Sequence, residues 1–431
     1  MTDLKEYLAA VHSHGLDRAL AELYGEGETD RQGLRAASLL ERMAEWRGTG
    51  PAVLVSAPGR TELGGNHTDH NHGVVLAAAV SFDCLAVARA SEGNRIRVKS
   101  EGFGGTIEVD CADTAPRKTE EGTPEALIRG VVHGFAQAGH VVGGFDACVS
   151  GGVPMGVGLS SSAAFEVCMG QVLNQLFNEG RVTPLELARF GQQAENVHFG
   201  KPCGLMDQLA CAAQGVLSID FADPASPVTR QVDFDFGATD YQLAVVDTGG
   251  SHADLTPEYA AIPAEMGRAA RVLGQETARG LTVAQVLDAA PTIRREAGDR
   301  ALLRLLHFIE ESDRAQAQAE ALAQGDMTAF LRLVLASGDS SWRLLQNCVS
   351  TIRPEEQPIP LALTLTERFL GGNGAWRIQG GGFAGTIQAY VPRDRFPDYQ
   401  AYMEAVFGLG AVLPLRVRRP GLDLILPDGE A

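Results

Sequence analysis

The chain has 431 residues, and its 54 aspartates and glutamates outnumber its 36 lysines and arginines, so the formal net charge at pH 7 is −18. This charge argues against nucleic-acid binding, and any anionic substrate requires a locally positive pocket or a metal ion. No apolar run approaches the roughly 18 residues of a membrane helix, and the N-terminus has no signal-peptide character, so we expect a cytoplasmic protein without a membrane partner.

The first 47 residues predict a helical prefix packed on the first domain, with helical patterns over residues 4–11, 16–24 and 34–46. Segments of strand composition follow at residues 52–57, 74–80, 84–90, 95–99 and 106–109. Further helices are predicted over residues 163–177, 184–198, 207–214, 315–324 and 327–337. Further strands are predicted at residues 145–150, 216–221, 243–247, 375–379 and 386–391.

A chain of this length is expected to form two domains. The strand at 216–221 and the turn-rich residues after it indicate a change of domain between residues 200 and 230. We assign residues 1–215 to an N-terminal domain that includes the prefix at about 1–47, and residues 216–431 to a C-terminal domain. The pattern of helices and strands predicts an α+β chain of two lobes, with the active site in the cleft between them.

A glycine- and serine-rich segment lies between the strand predicted at 145–150 and the helix predicted at 163–177. Glycines let the backbone approach a bulky anion, and the free N–H groups of a first helical turn favour negative charge. The segment predicts a phosphate cradle made of Pro154, Gly156, Gly158, Leu159, Ser160, Ser161, Ser162 and Ala163. It lacks the lysine of Gly-x-x-x-x-Gly-Lys-Ser/Thr loops. The alternative is a glycine turn whose serine only caps the helix.

Two more segments, at residues 57–70 and 380–385, accompany this cradle in an order and at separations that resemble the GHMP kinases. Within that superfamily the chain is most similar to the galactokinase family. The family signature Gly-Arg-Val-Asn-Leu-Ile-Gly-Glu-His-Thr-Asp-Tyr-Asn-x-Gly aligns without gaps to residues 59–73, and Cys-Gly-Ile-Met-Asp-Gln aligns to residues 203–208. Residues 252–259 resemble the segment that brings a sugar-contacting tyrosine. The similarity covers the chain from about residue 53 onward.

The resemblance implies an ATP-dependent kinase that phosphorylates the anomeric C1 hydroxyl of galactose or a close relative. It implies a GHMP kinase fold, with an N-terminal α/β nucleotide-binding domain and a C-terminal α+β domain. Its partners are the sugar and ATP. The sequence does not define the oligomeric state, for which a monomer is the favoured expectation.

Phosphoryl transfer needs a proton acceptor, positive charge and a divalent metal. By the resemblance, Asp207 is the catalytic base and Arg60 keeps it ionised and stabilises the transferring group. The metal is Mg²⁺, with Ser162 and Glu195 as its ligands. The alternatives are that Asp207 only caps a helix, that Arg60 only forms a structural salt bridge, and that Glu195 lies on a solvated helix face. Seven scattered cysteines without a Cys-x-x-Cys pair indicate reduced thiols and argue against zinc.

For the sugar, the resemblance implies contacts from His67, Asp69 and Tyr259, with Gly204 allowing a close backbone approach. Three positions depart from the family signature: Asn66 replaces a glutamate, Glu62 replaces an asparagine and His70 replaces a tyrosine. Asn66 matters most, because the family glutamate accepts a hydrogen bond from the C6 hydroxyl of the sugar. Either Asn66 binds galactose as a neutral acceptor, or a C6-carboxylate sugar such as galacturonate is accepted, as in the similar plant galacturonokinases. Galactose is the favoured substrate.

Residues 380–385 are expected to form a turn close to the sugar and the terminal phosphate, the alternative being a glycine-rich hairpin without a ligand. The alternatives from other function classes are a non-catalytic sensor of sugar and nucleotide, an ATP-dependent decarboxylase and a structural protein. The first is disfavoured because every implied catalytic residue is present. The His-Thr-Asp and Met-Asp-Gln segments disfavour the second, and three anion-type glycine loops disfavour the third.

Overall fold

The computed structural model describes residues 1–250 and 255–428. The prefix forms a two-residue edge strand and three helices, namely β1 Thr2–Asp3, α1 Leu4–His12, α2 Asp17–Tyr24 and α3 Thr29–Arg47. Asp3 begins α1 with a capping box, in which its side chain accepts from Lys5 N and Glu6 accepts from Asp3 N. The apolar face of the prefix buries Leu20, Leu39 and other residues against the back of the first sheet. The predicted helical prefix is thus part of the first lobe.

The rest of the first lobe surrounds one large sheet. Its elements are β2 Pro51–Gly64, β3 Val74–Ala90, β4 Arg95–Ser100, β5 Ile107–Asp110, α4 Pro124–Gln137, β6 Phe145–Gly151, α5 Ser161–Phe177, α6 Pro184–Gln193, α7 Met206–Ala213, β7 Val216–Asp220 and β8 Val228–Val232. The strand order is β1-β2-β3-β6-β4-β5, with β7 also paired to β3 and β8 paired to β7. All pairs are antiparallel except β4 with β6.

The second lobe has a four-stranded antiparallel sheet and longer helices. Its elements are β9 Tyr241–Asp247, α8 Thr256–Val272, α9 Val283–Asp288, α10 Ala290–Glu296, α11 Asp299–Ala323, α12 Met327–Ser340, α13 Pro358–Leu370, β10 Ala375–Ile378, β11 Thr386–Pro392, α14 Phe396–Phe407, β12 Val412–Leu415 and β13 Leu424–Ile425. The sheet order is β10-β11-β9-β12, and β13 returns to pair with β2 of the first lobe. The α+β class predicted from the sequence is confirmed.

The boundary predicted between residues 215 and 216 falls inside the larger sheet. Strand β7 pairs with β3 from Val74↔Asp220 to Ala78↔Val216, and β8 extends the same sheet to Val232. Strand pairing therefore carries the first lobe about one hairpin further than the sequence division. The turn at residues 222–227, which the sequence indicates as a boundary, is the hairpin between β7 and β8.

Two long strands position the site. Strands β2 and β3 pair from Val53↔Ala88 to Gly64↔Leu76, and they have register shifts between Pro58 and Arg60 and between Glu62 and Gly64. Such irregularities bend a strand and re-aim its side chains. They lie in the motif predicted to bind the sugar. Across residues 1–250 and 255–428, no helix is long and apolar enough to span a membrane.

Candidate active site

The predicted cradle lies between the end of β6 and the first turn of α5. It contains Pro154, Gly156, Gly158, Leu159, Ser160, Ser161, Ser162 and Ala163. Gly156 (φ 80°) and Gly158 (φ 69°) adopt left-handed conformations that favour glycine. Because α5 begins at Ser161, the N–H groups of its first turn have no carbonyl partner within the helix. They remain available to an anion, with the helix dipole behind them.

Contacts from the first glycine segment and from the two residues that flank the last one fix the cradle. The Gly158 carbonyl accepts from Arg60 Nη1 (2.5 Å) and from Gln379 Nε2 (3.2 Å). The adjacent Val157 carbonyl accepts from Thr386 Oγ1 at 3.3 Å. The three glycine segments, far apart in the chain, therefore meet at one point.

Arg60 and Asp207 form an ion pair beside the cradle. Arg60 Nε and Nη2 lie 2.9 and 2.8 Å from Asp207 Oδ1, and Ser160 Oγ donates to Asp207 Oδ2 at 2.5 Å. Burial opposes ionisation of Asp207, but the Arg60 charge and the Ser160 hydrogen bond outweigh it and lower the pKa of the carboxyl. The backbone approaches closely here, since a Cβ at Gly59 would lie 2.5 Å from Leu159 O.

Ser162 and Glu195 lie together on the far side of the cradle. Ser162 Oγ donates to Glu195 Oε1 at 3.1 Å, and Lys201 Nζ reaches the same oxygen at 2.9 Å. The other oxygen, Oε2, accepts from Gln208 Nε2 at 3.0 Å, and Gln208 also donates to Glu166 Oε2. Burial, followed by the Glu195 charge, raises the pKa of Glu166. Glu195 thus belongs to a buried hydrogen-bond network and does not lie on a solvated helix face.

Asp69 and Gly204, two predicted sugar-binding residues, lie in close contact. A Cβ at Gly204 would lie only 2.4 Å from Asp69 Oδ2, so the position requires glycine if Asp69 is to keep its place. His70 Nε2 lies 3.6 Å from Asp69 Oδ1. The carboxylate is almost buried, with 11% of its side chain exposed. It faces the helix that carries Asp207, because Gly204 lies just before α7.

The last glycine segment rests on three predicted sugar-binding residues. The successive carbonyls of residues 380–382 accept from Asn66 Nδ2 (2.7 Å), His67 Nε2 (2.8 Å) and Tyr259 Oη (2.8 Å), in that order. Burial lowers the pKa of His67 to about 4, so the ring is neutral at pH 7 and donates through Nε2. These side chains therefore hold the turn in place. Of the segment that precedes Tyr259, residues 251–254 lie outside the described residues.

Asn66 is buried, and both its amide nitrogen and its amide oxygen form hydrogen bonds with other protein groups. Besides the turn, Nδ2 donates to Glu62 Oε1 at 3.0 Å, while Oδ1 accepts from Asn347 Nδ2 (2.8 Å) and Ser341 Oγ (3.4 Å). Arg377 Nη2 pairs with Glu62 Oε1 at 2.6 Å. Relative to the family signature, asparagine and glutamate have exchanged positions 62 and 66. The carboxylate has moved four residues back, where a buried guanidinium neutralises it.

Comparisons with known proteins identify the family of the chain. Residues 45–90 match the galactokinase galactose-binding signature, and residues 126–215 match the N-terminal domain of GHMP kinases. A galactokinase of Streptomyces coelicolor is 33% identical over 360 residues, which cover 83% of this chain and 89% of that protein. The chain belongs to the galactokinase family. It is an ATP-dependent sugar kinase that acts at C1.

Solved structures of the family and its superfamily share the fold. Lactococcus lactis galactokinase, solved with galactose, matches with a TM-score of 0.76 and 25% identity, covering 90% of this chain and 99% of that one. Methanococcus jannaschii mevalonate kinase matches with a TM-score of 0.58 at 13% identity, covering 86% and 99%. The second match concerns the fold alone.

The sequence motifs of this galactokinase-family chain missed several site residues. Gln208 ends the motif aligned at residues 203–208, Lys201 lies two residues before that motif, and both contact Glu195. Their position in or next to the motif was the available signal. Gln379 and Arg377 had no such signal, because they precede the last glycine segment and reach the site only through the pairing of β10 with β11.

Proposed function

We propose that the chain transfers the γ-phosphoryl group of ATP to the C1 hydroxyl of galactose, with Asp207 and Arg60 as the catalytic pair. The observation that carries the proposal is the position of this ion pair. It touches the phosphate cradle through Ser160 and Gly158, and its Asp207 lies on α7, the helix that follows Gly204. A sugar between Asp69 and Asp207 would present a hydroxyl to the end of a bound triphosphate.

Asp207 acts on the hydroxyl as an ionised acceptor. Its lowered pKa keeps it charged at neutral pH, where it can orient the C1 hydroxyl and accept its proton as the bond to phosphorus forms. A carboxylate of low pKa is a weak base, which suits a loose transition state that needs little activation of the nucleophile. Arg60 maintains this charge and supplies positive charge near the transferring group.

Ser162 and Glu195 fit a magnesium ion. Both offer hard oxygen donors, and the atoms Ser162 Oγ and Glu195 Oε1 already lie 3.1 Å apart. Mg²⁺ favours one or two protein oxygens plus phosphate oxygens and water. When bound, the ion would neutralise charge on the phosphate oxygens. Lys201, which now pairs with Glu195, would then be free to approach the phosphates.

Sugar recognition falls to His67, Asp69, Gly204 and Tyr259. The Asp69 carboxylate, the Nδ1 atom of the His67 ring and the Tyr259 hydroxyl supply directional partners for hydroxyl groups. Asn66 supports the turn at 380–382 in this proposal, and it contacts the sugar only if one of its present hydrogen bonds breaks. A cytoplasmic location and a monomeric state remain predictions.

Galacturonate is the second candidate, and one observation favours it. Arg377 neutralises Glu62, and the Nε and Nη1 groups of this buried arginine have no partner among the described residues. A carboxylate at C6 would therefore not meet an uncompensated negative charge near position 66. Galactose stays ahead because the other sugar-binding positions follow the family signature.

A coupled assay of ADP release tests the proposal with galactose, galacturonate, glucose and N-acetylgalactosamine as acceptors. We expect the highest kcat/KM with galactose, and phosphorus NMR of the product should show an anomeric phosphate. Asp207→Asn is the control, because it keeps the shape of the side chain and removes the acceptor charge. Wild-type turnover in a folded Asp207→Asn protein would refute the catalytic role.

A further inference from the structure

A second cavity lies where the helical prefix, the first lobe and the second lobe meet. Its volume is about 350 Å³, within the range of small-molecule sites. Its walls come from the end of α2 and the start of α3, from residues 81–83 in the middle of β3, and from residues 414–417 around the end of β12. None of its lining residues belongs to the proposed active site.

The cavity is positively charged in a strongly negative chain. Four arginines line it, at positions 31, 35, 393 and 416, against two carboxylates, Glu28 and Asp83. Arg31 pairs with Glu28 at 2.5 Å, and Arg35 pairs with Asp83 at 2.7 Å. The other two guanidiniums have no carboxylate partner among the described residues, so the lining carries a net charge of +2 while the chain carries −18.

These two arginines differ in how they are held. Arg393 is fixed by neutral oxygens only, from Thr239 O (2.8 Å), Gln242 Oε1 (3.0 Å) and Phe236 O (3.2 Å). Its charge is rigidly placed but not cancelled. The exposed Arg416 side chain has no hydrogen-bond partner in residues 1–250 and 255–428, and it lies across the turn at the end of α2. It is free to close on an anion.

Aromatic rings complete the lining. Tyr24, Phe82, Phe236 and Tyr241 are among the residues that line the cavity. Aromatic side chains pack against the ring of a sugar or a nucleobase, while guanidiniums bind phosphate with forked hydrogen bonds. We propose that this cavity is a second binding site, for a small organic phosphate monoester whose ring lies on the aromatic wall and whose phosphate meets Arg416 and Arg393.

The cavity is connected to the phosphate cradle through β6. Arg35 donates from Nε to Ser150 Oγ at 3.0 Å and from Nη2 to Ser150 O at 2.7 Å. Gly152 N donates to Asp83 O at 2.7 Å, two residues before the cradle begins at Pro154. Arg35 and Asp83, which line the cavity, thus contact the strand end from which the cradle departs. Occupancy should therefore change the KM for ATP.

Calorimetric titration of the full chain tests the proposal with two probes, galactose 1-phosphate and AMP. Saturating Mg²⁺ and a non-hydrolysable ATP analogue are present throughout, so that the cradle is filled. We expect saturable binding of at least one probe, and the better probe distinguishes a sugar phosphate from a nucleotide.

Two variants and one control locate the binding. Arg416→Glu should weaken it by at least about tenfold, because it reverses an unpaired charge at the site. Ser81→Trp should have a similar effect by filling the cavity without a change of charge. Arg419→Glu is the matched control, since Arg419 is 77% exposed, pairs with Asp235 and does not line the cavity. The proposal fails if neither probe binds, if Arg416→Glu leaves binding unchanged, or if Arg419→Glu weakens it equally.

Discussion

The exchanged pair at positions 62 and 66 makes a quantitative prediction. Glu62→Asn removes the carboxylate partner of Arg377, a guanidinium that is fully buried. A buried charge left without its partner costs about 3–5 kcal/mol of unfolding free energy. Asn66→Glu instead brings a second carboxylate to the 3.0 Å contact now made by Asn66 Nδ2 and Glu62 Oε1. One of the two carboxyls must then be protonated at pH 7. Because an ordinary glutamate pKa lies almost three units below 7 and each unit is worth about 1.4 kcal/mol, this protonation lowers the unfolding free energy by up to about 4 kcal/mol.

The double variant, which restores the family residues at positions 62 and 66, should lose less unfolding free energy than the sum of the two single variants. It again has one carboxylate and one amide, so that a hydrogen bond can re-form between positions 62 and 66 with its polarity reversed. We expect a coupling free energy of about 2–3 kcal/mol. Urea denaturation of the four proteins measures it. Additive effects of the two substitutions would refute the reading of Glu62, Asn66 and Arg377 as one network.

The same double variant tests the origin of sugar choice. It places a negative charge at position 66, which should repel a C6 carboxylate. Like charges at close range cost several kcal/mol, so the ratio of kcat/KM for galactose over galacturonate should rise by at least about tenfold. The ratio is measured with both sugars at saturating ATP. An unchanged ratio would show that the residue at position 66 does not discriminate between the C6 groups of the two sugars.

Three further substitutions test the proposed roles. Arg60→Met should reduce kcat by about 100-fold or more. It should also move the acid limb of the pH–rate profile to higher pH, because the pKa of Asp207 rises once burial is unopposed; an unmoved limb in an otherwise slower enzyme would contradict the pairing. Gly204→Ala should raise the KM for the sugar but not for ATP, because its methyl group would collide with Asp69, and equal effects on both would contradict this. Glu195→Gln should raise the Mg²⁺ concentration that gives half-maximal rate, and an unchanged requirement would exclude it as a ligand.

Local sequence predicted most of the elements. The strand at 145–150, the glycine loop and the helix at 163–177 are found as β6, the cradle and α5, because composition and periodicity there all favour the same structure. The segments 74–80 and 84–90 are one continuous strand, β3, since the polar interruption at Asp83 pairs with Arg35 and the buried Arg418 instead of forming a turn. Only long-range pairing could show this.

The sequence predicts the site residues that belong to a motif, but not those that reach the site only through tertiary contacts. The meeting of Arg60 with Asp207, and of Ser162 with Glu195, followed from the resemblance. The saturation of Asn66 by Asn347 could not be foreseen, because these residues are 281 positions apart and no local pattern links them.

The most direct test of the central claim is a comparison of kcat/KM for ATP-dependent phosphorylation of galactose and galacturonate, with the phosphorylated position assigned by NMR. The proposed site predicts transfer to C1 and a higher kcat/KM for galactose. Transfer to another hydroxyl would contradict the assigned geometry of Asp207 and the cradle, and a higher kcat/KM for galacturonate would contradict the choice of sugar.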